Sequence, residues 1–125
     1  MYNVVREDIF RGKPDAEIVN DMCRIFAQGI DTDTRTIVVS VTGSRRWGPL
    51  VYLVRDNLEK YFIEVGQTAH MHLVDNAIQT RGLQVDLLVV CSPMLCPASQ
   101  YVDMIYRIRD GGTLVLLDFS DVGGF

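Results

Sequence analysis

A β-branched, apolar run, Ile37-Val38-Val39-Ser40-Val41, breaks at Thr42-Gly43-Ser44-Arg45-Arg46, and helical sequence follows from Trp47. This junction constrains the fold more than any other stretch. A buried strand that ends in a small-residue turn and opens a helix is the way α/β proteins are commonly built. The first N–H groups of such a helix have no intrahelical partner, and the helix dipole adds partial positive charge there. Gly43 allows close backbone approach, Thr42 and Ser44 bring hydroxyls, and Arg45 and Arg46 bring guanidinium forks. The junction therefore predicts an anion site. The plainer alternative is a tight turn that needs glycine for its geometry, with Arg45 solvated and Arg46 paired to surface carboxylates.

The rest of the chain fits one α/β domain spanning residues 1–125. Residues 1–14 read as an irregular or short-strand lead-in. Ile18, Met22, Ile25 and Phe26 give one apolar stripe to a helix over 15–28, with Asp15 as its cap and Gly29 as its stop. The first strand covers 36–42. A second helix over 49–65 starts at Pro49 and turns Leu50, Leu53, Val54, Leu58, Tyr61 and Phe62 inward. Strands follow at 70–75 and 84–91, and the near-continuous apolar character of 85–90 marks a strand covered on both faces. A third helix over 98–110 would end at Gly111-Gly112, ahead of a last strand at 113–119.

The reading is a small Rossmann-like three-layer sandwich, with a mostly parallel sheet of about four strands. An N-terminal helical extension (1–35) is added to the core (36–119), and 120–125 form a tail. Only residues 76–83 separate the second and third strands, too few for an ordinary crossover helix. Either a single helical turn bridges them or the second strand is misplaced.

Charge and composition narrow the function classes. A net charge of −4 argues against general nucleic-acid binding, which needs a basic face. No apolar run reaches the ~20 residues of a membrane span, and the N-terminus lacks the pattern of a signal peptide. Three cysteines at irregular spacing suit free thiols, and a cytoplasmic protein is the expectation.

Residues 41–47 (Val-Thr-Gly-Ser-Arg-Arg-Trp) resemble the opening of the SLOG superfamily, in particular its YspA-type branch. The order of elements over 36–118 is similar, with residues 86–90 at the place of that family's central strand. The resemblance implies a nucleotide or nucleotide-derived ligand. The chain departs from the family at two later motifs. Residues 73–78 stand where a His-Gly-x-x-x-Gly-Ala-Asp loop belongs, and residues 92–99 stand where a Gly-Gly-x-Gly-Thr loop belongs. The catalytic Glu and Arg of the family's phosphoribohydrolases have no counterpart, so the resemblance implies binding more than hydrolysis.

The candidate ligand-binding set is Thr42, Gly43, Ser44, Arg45, Arg46, Trp47, Ser92, Ser99 and Asp118. Trp47 either stacks on a base or packs in the core. Ser92 and Ser99 line the loop after the third strand, stiffened by Pro93 and Pro97, and Asp118 closes the last strand at the same edge. Cys91 as a nucleophile lacks a nearby basic residue, and position 97 is proline where a phosphatase loop needs arginine, so a buried inert thiol is the simpler reading. His70 and His72 share a strand face and, with Cys91 and Cys96, make at best a loose zinc pattern. Asp75 and Asp86 could act as acid and base, with Asp86 otherwise a polar strand end. Tyr101 and Met104 read as core or dimer contacts.

The function expected is a binding module that senses or sequesters a nucleotide-like small molecule, without cofactor or metal, and as a homodimer or higher oligomer. The helix faces of 49–65 and 98–110 are the expected contact surfaces. A SLOG-type N-glycosidic hydrolase and a non-catalytic interaction or inhibitor scaffold are the alternatives.

Overall fold

The computed structural model describes residues 1–41, 47–75, 77–93 and 98–120. The elements run β1 (Asn3–Phe10), α1 (Asp15–Ala27), β2 (Thr36–Ser40), α2 (Trp47–Glu64), β3 (His70–Val74), a 3-10 turn (Ala77–Thr80), β4 (Val85–Cys91), α3 (Ala98–Ile105) and β5 (Ile108–Ser120). The five strands form one sheet in the order β1-β5-β4-β2-β3, and every pairing is parallel. The chain has the α/β sandwich architecture its sequence predicts.

Alternation along the strands divides the core in two. Ile37, Val39, Leu87, Val89, Val115 and Leu117 face α1 and α2, where Ile18, Met22, Phe26, Leu50, Val54 and Leu58 meet them. Val38, Leu88, Val90 and Leu114 face the other way, toward Met104 of α3. All seven residues of β4 are buried because both of its faces are covered, which is why its sequence reads as one apolar run.

Several expectations need correction. The segment 1–14 holds a full edge strand: β1 pairs with β5 in register from Asn3↔Thr113 to Phe10↔Ser120. The sheet therefore has five strands, and α1 is the crossover from β1 to β2 rather than an appendage. The third helix stops at Ile105, and Ile108 already belongs to β5. Gly111 and Gly112 do not end a helix but lie at an irregularity in β5, where the register with β4 slips between Val85 and Leu87. Gly111 sits at φ +80°, and a Cβ on Gly112 would come within 2.9 Å of the Asp86 carbonyl oxygen.

The remaining two concern the helices. Pro14 takes the cap position of α1, without any side-chain cap, and Asp15 is the first helical residue. α2 starts at Trp47, and Leu53 and Tyr61 are half-exposed rather than turned inward. The short link between β3 and β4 is the single 3-10 turn that the sequence left as one of two possibilities.

Candidate functional site

β2 leads into α2 on one face of the sheet, whereas β4 leads into α3 on the other. β2 and β4 are neighbours, so the chain departs in opposite directions from adjacent strand ends. In parallel α/β sheets this switch point opens a crevice at the carboxyl ends, the habitual place for a ligand. Thr42, Gly43, Ser44, Arg45 and Arg46 follow β2 directly and lie outside the described residues, as does Cys96.

The two sides of the switch point are joined underneath. Trp47 is fully buried, and its Nε1 donates to Ser92 Oγ at 2.6 Å. One face of its indole stacks on Phe119, with ring centroids 4.0 Å apart and planes 13° from parallel. Trp47 is thus a packing residue, and a base cannot stack on it in this arrangement. Ser92, 3 % exposed, sits at φ 55° in the left-handed region. Its backbone N–H donates to the Leu117 carbonyl at 2.7 Å. Its hydroxyl serves the indole rather than lining an open wall. Ser99 is exposed in the first turn of α3.

Asp118 does face a cavity. A cleft of about 560 Å³ is lined by Arg6, Glu7, Asp8, Pro93, Leu116 and Asp118. Register sets this composition: Arg6 lies beside Leu116 and Asp8 beside Asp118 in the parallel β1–β5 ladder. Leu116 packs with the cluster on the α3 side, so Asp118, two residues on, shares that face. Burial holds the Asp118 carboxyl above the ordinary carboxylate range. The negative charge of Asp8 pushes it further up, and Arg6 opposes both. The sequence singled out Asp118 and missed Arg6 and Asp8, because their place depends on β1. The apolar residues Val4, Val5, Ile9 and Phe10 flanking Arg6-Glu7-Asp8 were the available signal.

The other chemistry-bearing groups are scattered. Cys91 is fully buried, and burial, with the charge of Asp118 second, raises its thiol far above the range in which thiolate forms at neutral pH. Met71 and Leu73 pack toward the α1–α2 core, so His70 and His72 project from the opposite face, away from Cys91. Among the described residues no group of three or more His, Cys, Asp or Glu side chains could hold a metal ion. Asp75 and Asp86 belong to opposite ends of the sheet and cannot act as a pair.

Asp86 is a structural anchor at the amino edge. Its Oδ2 accepts the Arg35 and Thr36 backbone N–H groups at 2.7 and 2.8 Å, and its Oδ1 accepts Arg109 Nε at 2.6 Å.

No protein-family model matches the chain, and no curated protein sequence matches it. No described helix is long and apolar enough to cross a membrane.

Proposed function

We propose that the chain is a binding module for a nucleotide or nucleotide-derived small molecule, held at the carboxyl edge of the sheet. The observation that carries this reading is the switch point between β2 and β4 with a polar cleft beside it. The loop 42–46 supplies glycine, hydroxyls and two arginines for a phosphate, in keeping with the SLOG-like sequence of 41–47. Among the described residues the cleft sets the Asp8 and Asp118 carboxylates against Arg6, so it disfavours phosphate and suits hydroxyl or amino donors. β5 lies two strands from β2, roughly 10 Å at the usual strand spacing. That span suits a ligand with its phosphate at the loop and its sugar or base in the cleft.

Calorimetric titration against nucleoside monophosphates, cyclic and linear dinucleotides and ADP-ribose derivatives tests this. Arg45→Ala should weaken phosphate-bearing ligands and spare the parent nucleosides, whereas Asp118→Asn should weaken both. Failure of the whole panel to bind would overturn the proposal.

One observation favours cleavage of an N-glycosidic bond as a second reading. Asp118 keeps its proton to higher pH than an ordinary aspartate and has a second carboxylate beside it, which is how a general acid is made. Release of free base from nucleoside monophosphates, followed by mass spectrometry and lost in Asp118→Asn, would establish it.

A further inference from the structure

β1 is an eight-residue edge strand, paired with β5 on one side and, among the described residues, with no strand on the other. Its outer backbone groups are a template for another strand. The side chains along it are self-complementary about Glu7: Val4-Val5-Arg6 precede it and Asp8-Ile9-Phe10 follow. When such a strand runs antiparallel to a copy of itself with Glu7 at the centre, each cation meets an anion and each apolar residue meets another. Val4, half-exposed at 54 %, then lies opposite Phe10, and Val5 lies opposite Ile9. The opposite edge, β3, reads His-Met-His-Leu-Val and has no such complementarity.

We propose that β1 is a dimerisation edge: two copies pair antiparallel about a two-fold axis through Glu7, with Arg6 of each copy opposite Asp8 of the other. Directly opposite residues of an antiparallel pair project from the same face. Arg6 of the second copy therefore enters on the face that carries the cleft, beside Asp8 and one strand from Asp118. Asp8 of the second copy enters on the same face opposite Arg6, so the dimer adds one cation and one anion at the rim of the cleft. One contact opposes assembly, because the two Glu7 side chains face each other on the axis, and like charges directly opposite are unfavourable. That repulsion is specific to this register, since no other register sets residue 7 against itself.

Sedimentation equilibrium across the micromolar range, with far-UV circular dichroism on every variant, tests the proposal. The wild-type chain should be dimeric. Arg6→Asp and Asp8→Arg, each turning two attractive pairs into like-charge pairs, should each raise the dissociation constant about tenfold or more. The double variant Arg6→Asp/Asp8→Arg should restore dimerisation, and Glu7→Gln should tighten it. Arg6 and Asp8 are exposed, so the folds should survive. If a charge reversal loses its dichroism, Arg6→Gln and Asp8→Asn replace it and should weaken the dimer to a smaller degree. A wild-type monomer, a dimer indifferent to Arg6→Asp, or a double variant as weak as the single ones overturns the proposal.

Discussion

The indole N–H of Trp47, first residue of α2, donates to the hydroxyl of Ser92, the residue that follows β4. This bond ties together the two chain segments that diverge at the switch point, and both partners are buried. Stacking on Phe119 extends the tie to the carboxyl end of β5. Ser92 adopts a left-handed backbone that serine seldom takes, so the surrounding packing must hold it there.

Replacing Ser92 with Ala should therefore destabilise the fold by about 1–3 kcal/mol, because it leaves a buried indole N–H without its acceptor. Trp47→Phe should cost more, since it also removes apolar volume from the core and part of the stack on Phe119. Urea unfolding of both single variants and the double variant measures the coupling. Additive losses would show that the 2.6 Å bond contributes nothing of its own.

Trp47 is the chain's one tryptophan and directly follows the loop 42–46. Its emission should be that of a buried indole. Occupation of the loop by a phosphate-bearing ligand should change the emission, and Arg45→Ala should abolish that change. Emission that stays constant while calorimetry detects binding would place the ligand elsewhere.

The amino edge of the sheet makes a separate prediction. Asp86 satisfies two backbone N–H groups and Arg109 at once, and its side chain is 9 % exposed. Asp86→Ala leaves all three donors without that acceptor and should cost about 3 kcal/mol. Arg109→Ala leaves Asp86 its two backbone donors and should cost less, about 1–2 kcal/mol. A reversed order in denaturant unfolding would mean that Arg109 is held chiefly by something other than Asp86.

These anchors bear on how much the sequence could disclose. β4 and β2 were legible because strands buried on both faces must be continuously apolar, and α1 because Ile18, Met22, Ile25 and Phe26 line one side of it. β1 was not, because an edge strand faces solvent on one side and can carry Arg6, Glu7 and Asp8 in succession. The start of β5 was hidden by glycines that resemble a helix stop. They instead let the strand bend around Asp86, a contact no local pattern reveals. Asp118 was visible as a polar residue closing an apolar strand. Its partner Asp8 comes from the far end of the chain and becomes a neighbour only through the β1–β5 register.

The Asp8–Asp118 pair sets stability against binding. Burial and the charge of Asp8 raise the folded-state pKa of Asp118 above its unfolded value. The folded chain thus holds that proton more tightly than the unfolded chain. The resulting stabilisation is full below the unfolded pKa and is lost as pH rises through the folded one. Above that folded-state pKa Asp118 is ionised in both states, and its charge works against the fold. Asp118→Asn removes that charge and should raise the melting temperature at neutral pH. The gain should shrink as pH falls through the carboxylate range, since the wild-type side chain is then neutral as well. Arg6→Gln should lower stability at neutral pH, because Arg6 is the cation that offsets the two carboxylates. If the cleft binds through Asp118, the more stable Asp118→Asn protein should also bind its ligand less well. Thermal melts at neutral and acid pH, paired with calorimetry, read both effects on one variant. A melting temperature that Asp118→Asn leaves unchanged at every pH would show that the pair carries no electrostatic strain.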